Sequence, residues 1–247
     1  LILVHGFGLS GKIWELIEPE LTTHHEGIRV DLRGHGRSST PETGYDFETM
    51  ANDLRIFIET LKLQDVSVMG WSMGVSVLLA LFQNPPEAIR SAIFVSGTPK
   101  FITSYDFHYG APPAEHRKLT MDIKSNYMKG MQNFYNLLFR GETVPREMFT
   151  RVTRFVTNEM DRPPQHVSLQ CLESLAQSDF RAGLKNIAIP VLITHGSADT
   201  ICRVAASQWM HQQIKGSQLE VFEGVAHAPF LTQTKSFMKK VSAFLDR

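Results

Sequence analysis

The stretch that most constrains what this chain can fold into is Val66-Ser67-Val68-Met69-Gly70-Trp71-Ser72-Met73-Gly74-Val75, with the apolar run Ser76-Val77-Leu78-Leu79-Ala80-Leu81-Phe82 behind it. An apolar run, a Gly-x-Ser-x-Gly turn and a second apolar run predict a strand, a turn too sharp for side chains at Gly70 and Gly74, and a buried helix. Such a strand-to-helix turn lifts the Ser72 hydroxyl above the edge of a sheet, where it can act as a nucleophile. The bare pattern is a weak signal, because glycine and serine are common. The flanking strand and helix separate it from an ordinary glycine-softened turn.

The same alternation recurs on either side. Leu1-Ile2-Leu3-Val4 runs into His5-Gly6-Phe7-Gly8, and apolarity on both faces predicts a central parallel strand. Ser10 is a candidate cap for a helix through Glu18, with Ile13, Trp14 and Ile17 on one face. Ile28 to Leu32 reads as a strand entering the polar glycine turn Arg33 to Ser38. Asp46 is a candidate cap for a helix whose Met50, Leu54, Phe57, Ile58 and Leu61 form a core-facing stripe. Ala92 to Ser96, Ile189 to Thr194 and Leu219 to Phe222 read as further strands. A helix is expected near Val204 to Ile214, and a closing helix with Phe237, Val241, Phe244 and Leu245 inward. Strands and helices alternating at this spacing predict an α/β protein: a mostly parallel sheet with helices on both faces. From Phe101 to Phe180 the rhythm breaks, with a helical texture rich in Met and aromatics, punctuated by Pro112-Pro113 and Pro163-Pro164. Residues 1–100 and 181–247 are therefore expected to form the core, and 101–180 a helical lid upon it.

Bulk properties narrow the partners. Lys+Arg and Asp+Glu both total 25, so no net field points to nucleic acid or to an anionic membrane, and a charged partner must be met by a local patch. No apolar run reaches the roughly 18 residues of a membrane span, and no basic-then-apolar leader is present. Cys171 and Cys202 are too few for a disulfide framework and predict free thiols in a reducing, cytoplasmic compartment. The chain has no initiator Met and opens directly in a strand, which reads as the interior of a longer protein. His5, His35 and His195 lack companions at zinc-like intervals. The glycines at 6–8 and 34–36 fit neither phosphate-loop pattern, so no metal or cofactor is expected.

A serine hydroxyl needs a base to remove its proton and a third group to hold that base. In a parallel sheet all three must sit where the strands' carboxyl ends converge. Ser72, Asp199 and His227 satisfy that placement, the latter two in loops just past strand-like runs. Asp31 precedes the nucleophile and Asp179 falls in the lid or its hinge. The remaining histidines (His5, His24, His25, His35, His108, His116, His166, His195, His211) read mostly as loop or surface positions. The oxyanion of an acyl-transfer intermediate would be met by the Met73 amide and, from the loop after the first strand, by that of Phe7.

Taken together, His5-Gly6-Phe7-Gly8, Asp31-Leu32-Arg33-Gly34-His35-Gly36-Arg37-Ser38, Gly70-Trp71-Ser72-Met73-Gly74, Gly196-Ser197-Ala198-Asp199 and Ala226-His227-Ala228-Pro229-Phe230 resemble the successive motifs of α/β-hydrolases over nearly the whole chain. Within that fold, Gly70-Trp71-Ser72, Val95-Ser96-Gly97-Thr98-Pro99 and Ala226 to Phe230 resemble the pimeloyl-[acyl-carrier protein] methyl ester esterases of biotin synthesis. The resemblance implies a cytoplasmic serine carboxylesterase with Ser72 as nucleophile, His227 as base and Asp199 as its orienter. It places the ester against Phe7 and Met73, and the acyl chain against Phe134, Tyr135, Asn136, Leu137 and Leu138. It further implies that Lys129, Arg146 and Arg151 receive an acidic carrier protein. Val75 stands where that family usually has a second glycine, and Phe7 where it typically has tryptophan. A general short-chain carboxylesterase or carbon–carbon bond hydrolase shares these motifs, as does a non-catalytic binding protein of the same fold. Dehalogenases and epoxide hydrolases place aspartate where this chain has Ser72.

Overall fold

The computed structural model describes residues 1–17, 21 and 26–247. The strands are β1 (Ile2–Val4), β2 (Ile28–Val30), β3 (Val66–Trp71), β4 (Ile89–Val95), β5 (Val191–Gly196) and β6 (Gln218–Phe222). Among the described residues they form one sheet in the order β2-β1-β3-β4-β5-β6, with every neighbouring pair parallel. The chain runs from β1 outward to β2 and then returns to β3 on the other side of β1. The loops after β1 and β3 therefore part at that reversal and leave a crevice beyond the strands' carboxyl ends.

The helices are α1 (Phe47–Thr60), α2 (Met73–Leu81), α3 (Pro113–Ser125), α4 (Tyr127–Leu137), α5 (Arg146–Arg154), α6 (Gln165–Gln177), α7 (Val204–Gln213), α8 (Pro229–Thr232) and α9 (Thr234–Leu245). Asp46 caps α1, its Oδ1 accepting from the Thr49 amide at 2.8 Å. The predicted α1 stripe is buried at Met50, Leu54 and Ile58, whereas Leu61 is exposed. Every residue of α2 is buried, as a helix apolar on all sides requires. In α9, Phe237, Val241, Phe244 and Leu245 are all buried. Among the described residues no helix is long and apolar enough to cross a membrane.

Several boundaries differ from expectation. Ser10 makes no side-chain cap, and Gly11–Leu16 is a short 3-10 helix rather than an α-helix; Glu18 lies outside the described residues. Strand β4 begins earlier, at Ile89, and β5 runs on through His195 and Gly196, which pair with Val221 and Phe222. That register turns a predicted loop histidine into a buried strand residue.

Residues 101–180 carry α3 to α6 and no strand of the sheet. Their two ends meet at the core: the Phe180 amide donates to the Pro99 carbonyl at 2.8 Å, and Lys100 pairs with Asp179 at 2.8 Å. Arg181 bridges Asp179 and Asp106. Asp179 is thus a root of this segment, held by Lys100 and Arg181.

Candidate active site

Ser72 joins β3 directly to α2 with φ 54° and ψ −115°, a conformation that a non-glycine residue holds only at a cost of about 1–3 kcal/mol. The turn closes because its glycines are bare: a Cβ on Gly74 would stand 2.5 Å from the Val4 carbonyl oxygen, and one on Gly70 2.7 Å from the Gly74 backbone. The departure at Val75 is absorbed across the sheet edge. A Cβ on Gly97 would lie 2.5 Å from Val75, so the bulk added on α2 fills the space that Gly97 leaves.

Asp199 and His227 arrive on the loops after β5 and β6, which are tied to each other. Ala198 N–H donates to the Val225 carbonyl at 2.9 Å and Ser197 N–H to Phe222 at 3.0 Å. His227 Nδ1 lies 2.7 Å from Asp199 Oδ2, and both side chains are buried. Asp199 Oδ1 accepts from the amides of Ile201 and Cys202 at 2.8 and 3.1 Å. Burial opposes ionisation of Asp199, but the neighbouring His227 and His195 outweigh it and hold the carboxyl well below the usual carboxylate range. With a carboxylate accepting at Nδ1, His227 carries a hydrogen there, and its other ring nitrogen, Nε2, is left for another partner. That Nε2 is buried and has no hydrogen-bond partner. Ser72 and Cys202 line the same pocket. The thiol is pushed well above its ordinary range by burial and by the charge of Asp199, so it is a neutral neighbour and not a rival nucleophile.

The backbone of His227 is fastened from two directions. Trp71, immediately before the nucleophile, donates its indole N–H to the His227 carbonyl at 2.9 Å. From the insertion, the Leu138 carbonyl accepts the His227 amide at 3.1 Å, and Glu142 Oε2 accepts the Ala226 amide at 2.8 Å.

The loop after β1 carries Phe7, which lines one pocket together with Ser72 and with Met73 at the N-terminus of α2. His5 fixes this loop: its Nδ1 donates to the Gly6 carbonyl at 2.9 Å, and its Nε2 accepts from the Leu32 amide at 3.1 Å. His35 packs on His5 with ring centroids 5.0 Å apart. Burial lowers His5 to about 4; burial and the proximity of His5 lower His35 to about 3.

A pocket opens beside Ser72 and Met73, walled by Phe7, Phe101, Leu119, Phe134, Leu172, Leu175 and Ile201, with Ser76, Thr98 and Cys202 as its other polar side chains. No charged side chain lines it. Phe134 packs edge-on against Phe7 at 5.1 Å. The other members of the predicted acyl segment point elsewhere. The Tyr135 hydroxyl donates to the Gly8 carbonyl at 2.8 Å, Leu138 holds the base, and Asn136 is exposed beside Gln132. Leu137 packs partly buried against the core. Lys129, Arg146 and Arg151 are exposed. Arg146, Arg151 and Arg154 share a depression on α5, and Lys129 stands apart on α4.

Three histidines expected at loop or surface positions, His5, His35 and His195, are fully buried. His116 bonds to the Leu172 carbonyl and His211 to the Ser217 hydroxyl, His108 and His166 are exposed, and His24 and His25 lie outside the described residues. Asp31 pins its own turn through the Gly11 and Arg37 amides. His195, Glu142 and Cys202 escaped the sequence reading; of these only His195, four residues before Asp199, carried a local signal. No group of three or more His, Cys, Asp or Glu suited to a metal ion occurs among the described residues.

The family model described as alpha/beta hydrolase fold matches residues 1–234. The chain is 28% identical over 241 residues to a pimeloyl-[acyl-carrier protein] methyl ester esterase of Nitrosomonas europaea, covering 96% of this chain and 92% of that one. It is 31% identical to a putative non-heme chloroperoxidase of Synechocystis, covering 92% and 84%. The solved structure of an esterase from Exiguobacterium antarcticum superposes with a TM-score of 0.91 at 29% identity, over 100% of this chain and 91% of that one. With this sheet order, this strained serine and this match over nearly its whole length, the chain belongs to the α/β-hydrolase fold family.

Proposed function

We propose that this carboxylic ester hydrolase cleaves the methyl ester at the far end of a pimeloyl chain carried on an acyl-carrier protein, freeing the carboxylate and methanol. The observation that carries the reading is the uncharged pocket beside Ser72. A free dicarboxylate half-ester would bring an anion against an apolar wall with no cation to receive it, at a substantial desolvation cost. As a thioester of a carrier protein the same chain is neutral along its length. Its carrier end reaches the surface, where Lys129, Arg146 and Arg151 stand exposed and without an ion-pair partner among the described residues. The relative from Nitrosomonas europaea bears the name of this activity.

In this reading Ser72 attacks the ester carbonyl, while His227 Nε2 takes its proton. Asp199 holds the imidazole by Nδ1 and stabilises its charge. The amides of Phe7 and Met73 receive the oxyanion. His227 returns the proton to the departing methoxide, and water, activated by the same nitrogen, hydrolyses the acyl-Ser72. The insertion acts as the lid, with Phe134 against the acyl group and Tyr135 and Leu138 holding the loops around it.

The test compares a carrier-bound pimeloyl methyl ester, free monomethyl pimelate and p-nitrophenyl acetate. Ser72→Ala is expected to abolish turnover of all three with its circular dichroism unchanged; retained turnover overturns the nucleophile. Arg146→Glu is expected to lower kcat/KM for the carrier-bound ester by about tenfold, through one reversed contact charge, and to spare p-nitrophenyl acetate. Equal effects on both would leave a general carboxylesterase.

A further inference from the structure

Asp199 has two histidines, and the reaction as described uses one. His195, next to last in β5, is fully buried. Its Nε2 lies 2.7 Å from the Cys202 carbonyl and 3.0 Å from Asp199 Oδ2. One of these oxygens is a carbonyl and the other belongs to an ionised carboxylate, so neither carries a proton and Nε2 must. On the far side, Nδ1 faces the Ser207 hydroxyl at 2.7 Å, which also reaches the Gly97 carbonyl at 3.3 Å. With its hydrogen on Nε2, His195 accepts at Nδ1 from the nearer Ser207 hydroxyl, so a buried chain runs from Ser207 through His195 to Asp199. It ends on Oδ2, the same oxygen that accepts from His227 Nδ1.

We propose that His195 is a positioning residue of the triad: with its Nε2–H shared between the Cys202 carbonyl and the oxygen that holds His227, it fixes the carboxylate's rotation and draws off part of its charge, and so limits how tightly His227 binds its proton. A carboxylate oxygen shared between two N–H donors gives less to each. Asp199 Oδ1 is already committed to the Ile201 and Cys202 amides, so rotation about the carboxyl carbon is closed from both ends. The titratable groups around His227 are Asp199, the Cys202 thiol, which shares a pocket with Ser72, and Glu142 acting through the Ala226 amide. Those around His195 are Asp199 and, through its carbonyl only, Cys202. Among the described residues Asp199 is thus the one charge that touches both rings. This rests on the triad reading above.

The test is the pH profile of kcat/KM for p-nitrophenyl acetate, whose acid limb reports protonation of the base in the free enzyme. His195→Leu removes the donor and is expected to move that limb upward by about one pH unit, the equivalent of one hydrogen bond to a charged group. Its kcat should fall roughly tenfold while KM changes less than about twofold. His195→Gln, which keeps an N–H donor, should recover most of both. Ser207→Ala is expected to raise the limb by a few tenths of a pH unit, and it carries the test if His195→Leu does not fold. Fluorophosphonate labelling is run in parallel. No labelling of the wild type would overturn the triad reading. Normal labelling with the limb unmoved in His195→Leu, or in Ser207→Ala where that carries the test, would overturn the role of His195 alone.

Discussion

Acid should act first on the buried histidine pair His5 and His35, beneath the loop after β1. His5 has both ring nitrogens committed, and Nε2 faces the Leu32 N–H. Protonating it would set two donors against each other. His5 titrates at about 4 in the fold and His35 at about 3, against an ordinary 6.5. Between those values the unfolded chain binds protons that the folded chain refuses. The stability is therefore fully present above pH 6.5 and is lost as the pH falls toward 4. At about 1.36 kcal/mol per pH unit, the interval for His5 corresponds to roughly 3 kcal/mol, and His35 adds a loss of the same sign. Against a total of about 5–15 kcal/mol, the pair makes the fold acid-labile. Asp179 and Asp199 are held below the usual carboxylate range. Their contribution is lost only as pH falls below about 4, which leaves the window from 6.5 to 4.5 to the histidines. Urea unfolding at pH 7.5, 6.5, 5.5 and 4.5 measures it. The wild type should lose stability below pH 6 at roughly 2.7 kcal/mol per pH unit, the slope of two protons, and His35→Gln should about halve that slope. A flat profile between pH 7 and 5, or the same slope in both proteins, refutes the reasoning.

Two further outcomes follow from contacts at the same edge of the sheet. Glu142→Ala removes the acceptor of the Ala226 amide and should lower kcat on a small ester about fivefold, the worth of one hydrogen bond near 1 kcal/mol. Glu142→Gln, which still offers an oxygen, should recover it, and equal losses in the two variants would sink the contact's role. Gly97→Ala drives a methyl to within 2.5 Å of Val75 and should cost about 1–3 kcal/mol of stability by overpacking. Adding Val75→Ala should restore part of it in a double-mutant cycle, and strict additivity would show that the two sites do not touch.

What the sequence disclosed of the site divides by the range of the forces involved. The turn at Ser72 was legible because its cause is local: bare glycines at 70 and 74 and apolar runs on either side demand it. That Asp199 and His227 would come together was legible because a parallel sheet sends every strand's carboxyl end to one edge, whatever the side chains do. His195 was not. His195-Gly196 looks like punctuation at the end of a strand, and only pairing with Val221 and Phe222 extends β5 through it. A histidine's burial is likewise a property of what covers it, and for His5 the cover is His35, on a different loop. The acyl segment is the instructive middle case. Phe134 to Leu138 are nearly all on α4, and successive helical residues turn by about 100°, so five in a row cannot all face one pocket. The helix resolves the matter by facing: Phe134 turns to Phe7 and the pocket, Tyr135 to Gly8, and Asn136 to solvent. Periodicity alone would have divided the segment, but not said which residue faced the serine. That depended on how α4 packs over the loop after β1, where a Cβ on Gly8 would collide with Met131. If the ester binds in that pocket as proposed, Phe134→Ala should change relative kcat/KM across p-nitrophenyl esters of different acyl length, where Asn136→Ala should not.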